Sequence, residues 1–279
     1  MKNIIYSILL FSIISCNGQK KIETIDSKQE KILSKSEETK PKKTENNDSI
    51  ILAVNYKFTY NETLKIPEET IKDLPPSIKT EFLKMLKEEI NYTLIVNDYE
   101  SIYEIVMNDK LTKSIIEKDS DNNKSSNTTL KLPKEEIYKN QKTKKFIRKR
   151  DFFNNNYLIS DNLENYKWEM KSEQMKIGEF NCKKAILKTK EGTVIAWYSD
   201  EIPISEGPSM YYGLPGMILK LEANDRNYDL VKIEKFGNKI EIKKPKNGIV
   251  ISKIEFEKLV DKNKNRTKIE EKVEEHIEN

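Results

Sequence analysis

The sequence predicts a mainly β, α+β domain in which an antiparallel meander packs against one or two helices, one of them C-terminal. Three observations predict it. From Ile51 onward Leu52, Val54, Tyr56, Phe58 and Tyr60 alternate with less apolar residues, the period-two signal of a half-buried strand. Beyond residue 90 short strand-like segments follow in quick succession, separated by polar turns that carry Asn and Gly. Helical periodicity is confined to one early segment and one late one.

In chain order, Met1 and Lys2 precede an apolar run from Ile4 to Ile14. At about 11 residues it is too short for a bilayer that needs roughly 20, so residues 1–15 read as an export signal. Ile13-Ile14-Ser15-Cys16 resembles the bacterial lipobox, in which the Cys is acylated. Cys16 is therefore the expected lipid anchor, and the expected location is the cell envelope, as an outer-membrane lipoprotein facing the periplasm. The other reading is an ordinary signal peptide cleaved near Gln19, leaving a soluble periplasmic or secreted protein. Residues 16–49 hold the anchor and then a polar stretch with three Ile, one Leu and no aromatic. Such a stretch cannot offset its ordering entropy by burial, so it reads as a disordered tether, with a span near 30 Å at flexible-linker stiffness.

The folded domain is expected over 50–262. After the first strand, Pro75-Pro76 and the spacing of Ile78, Phe82, Leu86 and Ile90 predict a helix from Ser77 to Ile90. Strands are predicted over 92–96, 101–107, 145–153, 156–160, 166–170, 182–189, 193–198, 217–221, 228–234 and 239–242, and residues 119–129 read as a polar loop. Ser252 and Glu255 have capping-box spacing at the start of a last helix, and 263–279 is expected to be a charged helical or frayed tail.

Composition excludes more chemistry than it suggests. Lys plus Arg number 50 against 46 Asp plus Glu, a net charge of +4 that is small for a nucleic-acid binder. The one His is His276, near the C-terminus, which argues against His-based metal sites and against Ser-His-Asp or Cys-His nucleophiles. No metal, cofactor or nucleic-acid partner is expected. Cys182 reads as a small buried hydrophobe rather than a reactive thiol. The run from Lys131 to Arg150 carries nine basic and two acidic residues, the pattern of a solvated strand face or of a surface for an anionic partner.

The least ordinary stretch runs from Ala196-Trp197-Tyr198 through Asp200, Glu201, Ile202-Pro203-Ile204 and Gly207-Pro208 to Tyr211, Tyr212 and Gly213-Leu214-Pro215-Gly216-Met217-Ile218. Pro fixes φ near −65° and Gly tolerates positive φ, so these are tightly specified turns, with a type II turn expected at Leu214-Pro215-Gly216. The loop lacks the Lys-Ser/Thr of a P-loop. Trp197, Tyr198, Tyr211 and Tyr212 are the candidate ligand or partner surface, and Asp200 and Glu201 are the carboxylates to inspect.

Gly213 to Ile218, with Cys182-Lys183-Lys184-Ala185, Ala196-Trp197-Tyr198, Ile202-Pro203-Ile204 and Gly207-Pro208, resembles the GLPGLI family of exported Bacteroidetes proteins, with Met217 replacing Leu. That resemblance implies export and no established activity. The layout also looks like the curved half-barrels of periplasmic lipoprotein carriers, a likeness of fold alone. The expected function is a non-catalytic binding or interaction module whose partner is an unknown envelope protein. Alternatives are a carrier of an apolar ligand such as a lipid or acyl chain and, less favoured, a carboxylate-dependent hydrolase.

Overall fold

A computed structural model describes residues 55–72, 74–106, 112–118, 125–131, 134–152, 155–238 and 240–263. The expected export signal, Cys16, the tether, His276 and the tail beyond 263 lie outside the described residues. Among the described residues no helix is long and apolar enough to cross a membrane.

The molecule is mostly β. Its strands are β1 (Asn55–Leu64), β2 (Ile90–Asn97), β3 (Glu100–Ile105), β4 (Thr112–Lys118), β5 (Ser125–Lys131), β6 (Glu135–Asn140), β7 (Lys145–Phe152), β8 (Asn155–Asn162), β9 (Glu169–Ile177), β10 (Phe180–Lys188), β11 (Thr193–Ser199), β12 (Met217–Glu222), β13 (Arg226–Phe236) and β14 (Ile249–Ile251). Twelve form one open sheet in the order β14-β8-β7-β6-β3-β2-β1-β13-β12-β11-β10-β9, while β4 and β5 pair apart. Two meanders, β1-β2-β3-β6-β7-β8 and β9 to β13, are joined where β1 lies antiparallel to β13, with Phe58 opposite Ile233. β14 and β9 remain as edges, so the sheet is not closed into a barrel.

All neighbours in the large sheet are antiparallel except β14, which runs parallel to β8. A parallel strand needs a crossover, and residues 240–246 supply it without regular structure. Asn55 Nδ2 donates to the Asn238 carbonyl and Asn97 Nδ2 to the Ile240 carbonyl, both at 2.9 Å. Lys244 Nζ then lies 5.1 Å from the Tyr138 ring centroid, so this strap covers the outer face of the sheet. The strand expected over 239–242 is therefore absent from 240–242.

Among the described residues three helices accompany the sheet: α1 (Glu68–Ile71), α2 (Pro76–Met85) and α3 (253–263). α2 has Pro at its first turn and buries Ile78, Phe82 and Met85. It stops short of the expected Ile90, which instead opens β2 opposite Glu62. Ile90 fits the four-residue helical spacing only by coincidence, because it also begins the period-two run Ile90, Tyr92, Leu94, Val96. α3 carries the expected capping box: Ser252 N and Oγ donate to Glu255 Oε2 at 2.9 and 2.6 Å, and Glu255 N donates back to Ser252 Oγ at 3.2 Å.

Two further expectations are corrected. Residues 125–129 of the expected loop lie in β5, whose Ser-Ser-Asn-Thr-Thr sequence shows no apolar alternation for a periodicity argument to find. Residues 163–168 are irregular, and the strand expected at 166–170 starts only at Glu169.

The inner face holds the core. Phe58, Tyr60, Leu94, Ile137, Ala185, Ala196, Leu219 and Leu221 belong to one cluster, all with no exposed surface. A smaller cluster joins Phe146 and Ile159 to Phe256 and Val260 of α3. Met210, in the loop between β11 and β12, packs against both.

Candidate functional site

The loop 200–216 folds over the start of β12. Met217 N donates to the Ile202 carbonyl and Ile218 N to the Glu206 carbonyl, each at 3.0 Å, so residues 202–206 run alongside the strand they precede. The Tyr60 hydroxyl donates to the Ile218 carbonyl at 2.6 Å, which ties the motif to β1 in the middle of the sheet.

The two motif glycines work differently. Gly213 has φ +96°, a conformation that disfavours a side chain, and a Cβ there would meet only ordinary contacts with Trp168. Gly216 does not take positive φ, so the expected type II turn is not formed. It is small because a Cβ would sit 2.0 Å from the Ser199 carbonyl oxygen: the loop must pass against the end of β11.

Beneath the loop, Lys139 of β6 is buried with no exposed side chain. Its Nζ lies 2.6 Å from Glu206 Oε2 and donates to the Gly207 carbonyl at 3.2 Å. Gln141 Nε2 donates to Glu206 Oε1 at 3.0 Å. This ion pair fastens the loop to the sheet.

The four candidate aromatics are divided. Tyr211 and Tyr212 gather with Tyr166, whose ring centroid is 6.0 and 5.4 Å from theirs. The Tyr212 hydroxyl donates to the Glu164 carbonyl, and its own carbonyl accepts from Trp168 Nε1 at 2.9 Å. Tyr198 is buried within the main core. Trp197 faces the other side of β11, under Lys184 Nζ at 5.9 Å. They do not form one surface.

Asp200 and Glu201 are exposed turn residues. Lys183 Nζ lies 2.5 Å from Asp200 Oδ2, and Glu201 Oε1 accepts from Asn181 N and Nδ2 at 2.9 and 3.0 Å. Cys182 has no exposed surface, and burial pushes its thiol up to about 11, away from the reactive thiolate. Among the described residues no group of three or more His, Cys, Asp or Glu is placed to hold a metal ion.

The site with chemical potential is one that sequence reasoning missed. Glu62 of β1, Glu135 of β6, Arg148 and Arg150 of β7 and Arg226 of β13 converge on the inner face. Arg148 Nε donates to Glu135 Oε1 at 3.0 Å, and Arg150 Nε lies 3.9 Å from the same oxygen. Arg226 Nη1 lies 2.6 Å from Glu62 Oε1, and its Nη2 lies 3.0 Å from Asp225 Oδ2. Tyr92, Tyr103 and Tyr228 form the wall: Tyr92 stacks on Tyr103 at 4.8 Å and Tyr103 meets Tyr228 edge-on at 6.4 Å.

The environment drives the two glutamates apart. Burial raises Glu62 to about 7, with Arg226 opposing and Glu135 adding to the rise. Burial also pushes Glu135 up, but Arg148, Arg150 and Arg226 outweigh it and hold the carboxyl below its ordinary value. Burial and repulsion from Arg148 lower Arg150 to about 10.

The run from Lys131 to Arg150 is thus not one solvated strand face. Lys139, Arg148 and Arg150 turn inward, while Lys149 pairs with Glu136 at 3.1 Å on the outside. The signal was present in the alternation: Glu62 follows Phe58 and Tyr60 in phase, Glu135 is in phase with Ile137, and Arg148 and Arg150 are in phase with Phe146.

Two solved structures of PNGF-II, in the C2 and P21 space groups, are similar to this chain at 18% identity, with TM-scores of 0.47 and 0.46. Each alignment covers 75% of this chain and 33% of the other, so the chain spans a third of their length. No curated protein matches. The GLPGLI name is not confirmed by these comparisons. Residues 187–220, which contain β11, the loop and most of β12, match a Bacteroidetes-associated family described as "Protein of unknown function (Porph_ging)".

Proposed function

We propose that this protein is a non-catalytic binding module of the cell envelope, exported by residues 1–15, anchored through Cys16 and held off the membrane by the tether. Its ligand is received on the inner face of the sheet, around Glu62, Glu135, Arg148, Arg150 and Arg226. The observation that carries this reading is that charged cluster. Well-packed apolar residues in place of buried ion pairs are often neutral or stabilising, so folding alone gives little reason to keep five charged side chains there. Arg148, Arg150 and Arg226 keep 27, 12 and 15% of their side-chain surface exposed, which leaves them within reach of a ligand. The same charges weigh against a lipid or acyl chain as cargo.

Native mass spectrometry of the full mature chain, purified gently from a bacterial envelope, tests the reading. The expected result is a reproducible added mass that disappears in Arg226→Gln. A clean apo mass in every preparation counts against it.

One observation favours a second reading, a carboxylate-dependent hydrolase. Glu62 is raised and Glu135 lowered, the split that separates a general acid from a base. Glu135 is nevertheless held by Arg148 and contacted by Arg150, which leaves it poorly placed to accept a proton. Turnover of a glycoside or ester substrate that is abolished by Glu62→Gln while binding persists would establish this reading over the first.

A further inference from the structure

The guanidinium groups of the inner face are unevenly compensated. Arg148 has Glu135, and Arg226 has both Glu62 and Asp225. Among the described residues Arg150 has one ion pair, a long one of 3.9 Å through Nε, to the carboxylate oxygen that Arg148 Nε already occupies at 3.0 Å. Its guanidinium also lies 6.0 Å from the Phe256 ring centroid and feels the like charges of Arg148 and Arg226. A guanidinium carries five donors in a rigid planar fork suited to two oxygens of one oxyanion.

The wall beside it holds a second unsatisfied group. Tyr103 is 1% exposed and its hydroxyl has no hydrogen-bond partner among the described residues, although buried polar atoms are ordinarily paired. The strand register places it in the row of Ile137 and Arg148, adjacent to the row of Glu135 and Arg150. An under-compensated guanidinium and an orphaned hydroxyl in adjacent rows of one sheet face are what a bound anion would satisfy together.

We infer that the inner face binds a small oxyanion, a carboxylate or phosphate group, held in the fork of Arg150 with the Tyr103 hydroxyl as a further donor. The inference rests on the binding reading above and names its ligand class. Two shifts act in the same sense: burial and the neighbouring Arg148 press Arg150 down to about 10, where it keeps its charge but lacks compensation, and burial raises Glu62 to about 7, which leaves the cluster with an excess of positive charge.

Calorimetric titration of the full mature chain at constant ionic strength tests it, with inorganic phosphate and glucuronate as separate probes. Saturable binding of either supports the inference, and which one saturates identifies the source of the anionic group. Arg150→Gln is expected to weaken binding by about tenfold or more, as loss of a charge-assisted bidentate contact does, and to raise Tm by removing an under-compensated buried charge. Tyr103→Phe is expected to weaken binding several-fold with Tm unchanged or higher, while Lys149→Gln on the outer face leaves binding unchanged. Unchanged titrations with a lowered Tm in Arg150→Gln would show a purely structural arginine and overturn the inference. A neutral adduct in native mass spectrometry that survives Arg150→Gln also overturns it while leaving the binding reading intact. No saturation with either anion, together with a clean apo mass, overturns both.

Discussion

Between β10 and β12 the inner face of the sheet is aliphatic, with Ala185, Ala196, Leu219 and Leu221 fully buried, whereas between β6 and β8 the same face presents Glu135, Lys139, Arg148 and Arg150. The first half is stabilised by burial, at about 1.5–3 kcal/mol for each large aliphatic side chain. In the second half the desolvation of each charge must be offset by a partner, and the offset varies from residue to residue. Lys139 lies 2.6 Å from a carboxylate oxygen of Glu206, while Arg150 comes no nearer than 3.9 Å to that of Glu135. Buried charge in this protein therefore comes in two kinds, one that locks the loop to the sheet and one that leaves binding capacity open.

The sharpest way to break this distinction is to remove the lock. Lys139→Ala leaves Glu206 buried without its cation and is expected to cost about 3–5 kcal/mol, read from the denaturant midpoint. Replacing Lys139 and Glu206 together by Met is expected to recover most of that loss. A small effect of Lys139→Ala would mean that the lock and the open cluster are energetically alike.

Next in size is the pair of motif glycines. Gly216→Ala drives a Cβ against the Ser199 carbonyl and is expected to cost about 3 kcal/mol, the upper end for overpacking. Gly213→Ala meets no close atom and adds only the strain of positive φ, about 1–2 kcal/mol. Thermal unfolding of the two variants ranks them, and the reverse order would show that the loop yields at β11 more easily than at Gly213.

A comparable effect is expected in pH. Because the Glu62 carboxyl is raised from 4.5 to about 7 on folding, its contribution is fully present below pH 4.5 and is lost as pH rises through 7, by roughly 3 kcal/mol in total. Glu135, held low, works in the opposite sense: its contribution is lost as pH falls below its ordinary value. Glu62→Gln is expected to flatten the fall in stability between pH 4.5 and 7 in urea titrations. A wild-type profile already flat across that window would remove Glu62 from the account.

The aliphatic half was readable in the sequence, and the charged half was not. β10, β11 and β12 were placed to within two residues because each buries an apolar row. β6 went unrecognised: its inward row is Glu135, Ile137 and Lys139, two charges around one Ile, and hydropathy treats both charges as surface. Arg148 and Arg150 belonged to a strand that was expected, but their direction was hidden in a basic run. The turn loop was recognised by its Pro and Gly content, yet the role of Gly216 depends on Ser199, a contact made only once the sheet is formed. Pairings such as Glu62 with Arg226, 164 residues apart, leave no local trace.

The smallest effect expected is also the most local, and it asks whether the two halves are separate units. Ser252→Ala removes the hydroxyl that accepts from Glu255 N and is expected to cost about 1 kcal/mol, the usual worth of such a cap. Phe256 of α3 packs 5.6 Å from Phe152 and 5.5 Å from Tyr157, and its ring lies beneath Arg150. Fraying the first turn of α3 therefore loosens β7 and β8 before anything else. Hydrogen exchange is expected to quicken in the amides of α3, β7 and β8 while those of β10 to β12 keep their protection. Equal acceleration in β10 to β12 would mean that the aliphatic and charged halves open together, so that the poor compensation of Arg150 destabilises the whole sheet and not only the half that carries it.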